Sequence, residues 1–198
     1  MESINENALN VLSKITSDTV LMFDMDGTLI NTNHANFLSY KKAIELVTES
    51  QWHLAFDQNQ RFNRSNLKNI IPNLSKTDYS RIIEEKEKCY DDFLSHTKIN
   101  AEIADILFKY SKTNKTVLVT NCRKERAAQT IAHHALTEKF NHLFFRQFNS
   151  NDSKVNKFQY AIQSLGISPD QVVVFENETI EIQDAIEAGI NNYYLVQP

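Results

Sequence analysis

Short apolar runs alternate along this chain with longer stretches in which apolar positions recur every three or four residues. The runs are Val20–Phe23, Thr116–Val119, Leu143–Phe145, Val172–Phe175 and Tyr193–Val196. Continuous apolar segments of this length, bounded by polar residues, fit strands buried on both faces, as in a parallel sheet. The stretches between them have helical spacing. Ile4, Ala8, Leu9, Val11, Leu12 and Ile15 give a lead-in helix over Ser3–Ile15. Ile103, Ile106, Leu107 and Tyr110 give another, as do Ala127–Leu136, the segment from Phe158 to Leu165 that ends at Gly166, and a segment closing at Ala185–Gly189. Strands that alternate with helices predict an α/β fold, a doubly wound (Rossmann-like) parallel sheet.

The alternation is interrupted once. From Asn33 to Asn100 the pattern is helical and polar, with no convincing strand. Phe37, Tyr40, Ala43, Ile44 and Val47 make one helix. Ser75-Lys76-Thr77-Asp78 has N-cap chemistry for a long helix through Leu94, and Pro72 breaks the chain before it. The predicted organisation is a core of residues 1–32 plus 101–198, with a helical insertion at 33–100 after the first strand.

Composition narrows the class. The chain has 198 residues, 41% of them hydrophobic, and a net charge of −4. That length supports one domain with an insertion. Mild acidity argues against a nucleic-acid partner, whose electrostatic footprint would be basic. No apolar run approaches the roughly 20 residues that span a bilayer, and no signal peptide is visible, so the expectation is a cytoplasmic protein without a membrane partner. Cys89 and Cys122 lie far apart with no C-x-x-C spacing, as expected for free thiols.

The chemistry concentrates at Thr19–Ile30, T-V-L-M-F-D-M-D-G-T-L-I. The apolar run ends in Asp24 and Asp26, two like charges on the same face of an extended chain. Crowded carboxylates are unfavourable unless a cation or a hydrogen-bond net holds them. Gly27 permits a sharp turn just beyond. A buried strand ending in D-x-D-G-T is a candidate metal and phosphate site, at the strand end where open α/β sheets bind ligands.

Asp24-Met25-Asp26-Gly27-Thr28-Leu29 resembles the first motif of the haloacid dehalogenase-like (HAD) hydrolases, mostly phosphatases, at every constrained position. The strand ending in Thr120-Asn121 resembles the second motif, in which a short hydroxyl binds a phosphoryl oxygen. The third is a lysine near a helix start. Register with Leu165-Gly166 and Pro169 selects Lys154, with Lys157 as the rival one turn later. Glu176-Asn177-Glu178, with Glu181 beyond, resembles the fourth, but Asn177 stands where an aspartate is usual. Asn keeps an oxygen ligand and loses a charge, so Mg²⁺ binding should weaken unless Glu176, Glu178 or Glu181 compensates.

The resemblance implies a Mg²⁺-dependent phosphomonoesterase acting on a small phosphorylated metabolite. Asp24 would be the nucleophile and Asp26 the acid and base. Thr120, Asn121 and Lys154 would bind phosphate. Asp24, Asp26, Glu176 and Asn177 would hold the metal. The insertion at 33–100 would be the small cap that excludes water and reads the substrate, with Arg61 and Arg64 as candidates to meet an anion. Arg123, Lys124 and Arg126 read as a solvated face, with contact of one of them to a substrate anion as the alternative. Adjacent His133 and His134 should point apart on a helix and are read as structural or surface residues. An acid at Asp26 argues against a dehalogenase, since a halide leaving group needs no proton. Two alternatives share these residues: a phosphomutase, and a binding or regulatory module with weakened turnover.

Overall fold

The computed structural model describes residues 6–58, 61–148 and 153–197. The chain divides into two compact units, Met1–Ile30 with Ile99–Pro198, and Asn31–Lys98. Both boundaries fall slightly earlier in the chain than the 33–100 read from the sequence.

The first unit is built on five parallel strands: β1 (Val20–Phe23), β4 (Lys115–Val119), β5 (His142–Phe144), β6 (Val172–Glu176) and β7 (Asn192–Leu195). Their order is β5-β4-β1-β6-β7. β1 is central, with Val20 opposite Lys115 on one side and Val172 on the other, and all four of its residues are buried. Pleating divides the sheet's side chains between two cores. Leu21, Phe23, Leu118, Val173 and Phe175 pack on one face with Val11 of α1 (Glu6–Ser13), Leu107 of α5 (Ala101–Tyr110) and Ile131 of α6 (Lys124–His133). Val20, Met22, Val117, Val119, Val172 and Val174 pack on the other with Phe158 of α7 (Lys157–Leu165) and Ala185 of α8 (Thr179–Glu187). The fold is therefore a doubly wound α/β sheet. Phe23 and Phe175 stack at 4.6 Å between centroids, locking the two strands that carry the acids.

The second unit contains α2 (Asn33–Thr48), α3 (Arg64–Ile70) and α4 (Lys76–Cys89). Tyr40, Ala43, Ile44, Val47, Leu67, Ile71 and Ile82 form its core. The Ser75 hydroxyl accepts the Asp78 N–H at 3.0 Å, the expected N-cap. Two-residue strands β2 (Ile30–Asn31) and β3 (Lys98–Ile99) pair with each other where the chain passes between the units.

Several expectations shift. The lead-in helix stops at Ser13 rather than Ile15, and Ser3–Asn5 lie outside the described residues. The long helix expected through Leu94 is α-helical only to Cys89 and then tightens into a 3₁₀ segment, Tyr90–His96. The stretch read as strand-free contains the whole of β3, Lys98–Ile99. Arg61 precedes α3, which begins at Arg64, so the two arginines do not share a helix face. His133 and His134 do not point apart. Their rings meet edge to face at 4.9 Å, because α6 ends at His133 and His134 turns away from helical geometry. The expected polar loop after Phe148 lies outside the described residues except for Ser153.

Candidate functional site

The tip of β1 is held from both sides. Asn114 Nδ2 donates to the carbonyls of Thr16 and Thr19 and fixes the turn entering the strand. Beyond the strand, the Asp24 N–H donates to the Phe175 carbonyl at 3.0 Å. Gly27 sits at φ +92°. Its N–H donates to the Ile30 carbonyl and the Ile30 N–H to that of Met25, which closes a tight loop around Asp26. Asp24 and Asp26 are each 6% exposed.

The cation at this tip is Lys157, not Lys154. Lys157 Nζ donates to Asp24 Oδ1 at 2.8 Å and to Glu176 Oε2 at 2.7 Å, with Glu181 Oε2 at 3.5 Å. The cause is where α7 begins. Asn156 is its N-cap, its side-chain oxygen accepting the N–H groups of Phe158 and Gln159, so Lys157 is the first helical residue. Lys154 lies before the helix. Its side chain is 43% exposed and pairs with Glu181 Oε1 at 2.8 Å and Asp184 at 3.7 Å.

The other predicted residues are placed as follows. Glu176 ends β6, with its second oxygen accepting the N–H groups of Asn177 and Glu178. Both of its oxygens are thus engaged, one by lysine and one by backbone, which makes it a partner of Lys157 rather than a ready metal ligand. Thr120 is 1% exposed just past β4, and its Oγ1 accepts the Cys122 N–H at 3.1 Å, which leaves the hydroxyl proton to donate. The Asn121 side chain donates to Glu181 Oε2 at 2.7 Å. That bond uses one of the two N–H donors of its amide. Asn177 Oδ1 accepts the Thr28 hydroxyl at 2.9 Å. A Cβ on Gly27 would come within 2.7 Å of Asn177 Nδ2.

Arg126 departs from the solvated face that its local sequence predicts. It is 8% exposed, and its guanidinium lies 3.4 Å from Asp26 Oδ2. No spacing rule in the local sequence signals this contact, which arises because α6 starts beside the tip of β4.

The electrostatics follow from burial. Asp24 is pushed up to about 7, chiefly by burial and then by Glu176, with Lys157 pulling it back. Burial alone would depress Lys157, but Asp24, Glu176 and Glu181 together hold it well above the usual lysine value. Burial works against the Glu181 carboxylate, yet Lys157 and Lys154 hold it below the ordinary glutamate value.

The chain is similar to known proteins. The family model for haloacid dehalogenase-like hydrolases matches residues 21–194. The chain belongs to that family. A phosphorylated carbohydrates phosphatase from Thermotoga maritima is 25% identical to this HAD-family chain over 186 residues, 88% of this chain and 83% of that protein. Solved structures share the fold. A haloacid dehalogenase-like family hydrolase from Streptococcus pneumoniae matches with TM-score 0.70 at 17% identity, covering 90% of this chain and 84% of that one. CbbY from Rhodobacter sphaeroides, solved with phosphate, matches with TM-score 0.71 at 13% identity over 89% and 86%.

Members of this family usually employ Mg²⁺. Among the described residues no three His, Cys, Asp or Glu side chains gather to hold a metal ion. The donors that remain are oxygens: the Asp24 carboxylate, the Asp26 carbonyl, and Asn177 Oδ1, which approaches the turn because Gly27 has no Cβ. All-oxygen donors suit a hard cation. Acids also outnumber bases, with Asp24, Asp26, Glu176 and Glu181 facing Lys157, Lys154 and Arg126. By donor type and by charge the residues present fit Mg²⁺. No helix among the described residues is long and apolar enough to cross a membrane.

Proposed function

We propose that the protein is a Mg²⁺-dependent phosphatase that hydrolyses a small phosphomonoester, with a phosphorylated carbohydrate as the substrate class. The observation that carries this reading is the pairing of Asp24 with Lys157 at the tip of the central strand, 2.8 Å apart. The relative from Thermotoga maritima supports the substrate class.

In the first step an Asp24 oxygen attacks phosphorus, the ester oxygen leaves, and Asp26 gives it a proton. In the second step Asp26 takes a proton from water as that water attacks phosphorus. Phosphate departs and Asp24 is regenerated. Arg126 holds the Asp26 side chain in place for both transfers. The Thr120 hydroxyl and the Lys157 ammonium offset the charge of the phosphoryl oxygens. Two unit charges 4 Å apart interact by about 4 kcal/mol at an effective dielectric of 20, so an anionic nucleophile needs this compensation to meet an anionic ester. Mg²⁺ bound by Asp24, the Asp26 carbonyl and Asn177 would neutralise further charge on the phosphoryl group. Residues 31–98 would supply substrate selection in this scheme.

One observation favours a second reading, a binding module with weak turnover: the neutral Asn177 at the candidate metal position. Turnover decides between them. The phosphatase releases phosphate from an aryl phosphate and from members of a sugar-phosphate panel in Mg²⁺, and Asp24→Asn abolishes this. A folded protein that releases none across the panel overturns the phosphatase. Isomerised sugar phosphate in place of free phosphate identifies a mutase instead.

A further inference from the structure

Asn177 makes the metal site one negative charge poorer than an aspartate would. Its amide cannot be recruited as an anion, and the neighbouring acids are already engaged. Glu176 gives one oxygen to Lys157 at 2.7 Å and the other to the N–H groups of Asn177 and Glu178. Glu181 is held by Lys154 at 2.8 Å and by Asn121 at 2.7 Å. Asp26 pairs with Arg126. Asp24, the carboxylate ligand in the proposed reading, is itself shared with Lys157 at 2.8 Å.

We infer that this protein binds Mg²⁺ and a phosphate-bearing ligand synergistically, each weakly alone and each tightened by the other. The inference rests on the reading of the site as a metal-assisted phosphate site and names how that site is regulated. With one carboxylate ligand, a bound Mg²⁺ keeps a surplus positive charge. A phosphoryl oxygen is the missing anionic ligand. Where two carboxylates would already neutralise the ion, the incoming phosphate gains less from it. Asn177 therefore sets the size of the coupling, and the coupling is reciprocal by linkage. The consequence is a site loaded with metal chiefly when substrate is present.

The geometry makes the exchange testable with little distortion. An aspartate at 177 has the same shape and still accepts the Thr28 hydroxyl. It loses only the Nδ2 donor, which lies against Gly27.

The experiment is calorimetric titration of the intact protein with Mg²⁺ alone, with inorganic phosphate alone, and with each in the presence of saturating partner. The native protein is expected to bind Mg²⁺ on the order of tenfold more tightly when phosphate is present, and phosphate by the same factor when Mg²⁺ is present. Asn177→Asp is expected to tighten Mg²⁺ binding in the absence of phosphate by on the order of tenfold and to shrink the coupling. Thermal melting with and without Mg²⁺ reads the same affinities should the calorimetric heats be small, and Asn177→Ser serves as a second variant, expected to weaken Mg²⁺ further. Mg²⁺ binding that is indifferent to phosphate in the native protein overturns the inference. So does an Asn177→Asp protein that melts cooperatively and matches the native one in both affinity and coupling. Failure here leaves Asp24-dependent phosphate release intact as a separate observation, so the two readings fall independently.

Discussion

Lys157 and Asp24 are 133 residues apart in sequence and 2.8 Å apart in space, and Lys157 reaches Glu176 from the same ammonium. One buried cation thus ties together the ends of β1 and β6. Its side chain is 3% exposed, so the pair is poorly screened by solvent.

Replacement of this lysine should be costly in two ways. Lys157→Met leaves Asp24 and Glu176 buried without their cation, which should destabilise the fold by about 3–5 kcal/mol. Any folded fraction should lose on the order of 10²–10³ in kcat, as when a preorganised donor to a developing anion is removed. Lys154→Met should change stability by no more than about 1 kcal/mol, since the Lys154 side chain is 43% exposed and Glu181 keeps Asn121 and Lys157 as partners. Urea denaturation and aryl-phosphate kinetics on both variants measure the contrast, and similar effects of the two would contradict the assignment.

Gly27 and Gly166 both have positive φ, +92° and +62°, but only one of them is crowded. Gly166 has open space where a Cβ would go, whereas at Gly27 it would meet Asn177 Nδ2 at 2.7 Å. Gly166→Ala should therefore cost about 1 kcal/mol, from backbone strain alone. Gly27→Ala should exceed that by about 1–3 kcal/mol and also displace Asn177, weakening Mg²⁺ binding. Thermal melting of the two variants, with and without Mg²⁺, checks the order.

Burial and the neighbouring His133 hold His134 below the usual histidine value of 6.5. Below that pH the unfolded chain binds more protons at this position than the folded one. Stability contributed by neutral His134 is therefore present above 6.5 and is lost as pH falls from there through the lower folded value. His134→Gln should flatten the stability profile between about pH 7 and 5 relative to the native protein. Urea midpoints across that range measure the difference, and parallel profiles would show that His134 titrates normally.

What the sequence revealed, and what it hid, divides along a physical line. The three inner strands were legible because burial on both faces demands uninterrupted apolar runs, as in Val20–Phe23 and Val172–Phe175. The paired acids at the end of β1 were legible because like charges there make no sense as packing. The lysine was misassigned because a three-residue difference depends on where α7 begins, and that is settled by Asn156 capping the helix. Arg126 was missed because its partner, Asp26, is 100 positions away and its own neighbourhood looks like an exposed face. The change from α-helix to 3₁₀ geometry at Tyr90 has no punctuation in the sequence: Cys89 and Tyr90 are both buried, and the apolar spacing continues across the change.

The most direct measurement is to quench the enzyme in acid during turnover of a phosphate ester and map the phosphoryl group by peptide mass spectrometry. The mechanism predicts a phosphorylated peptide with the group on Asp24, absent from Asp24→Asn. Turnover that proceeds with the phosphoryl group on another residue would contradict it, as would undiminished phosphate release by Asp24→Asn.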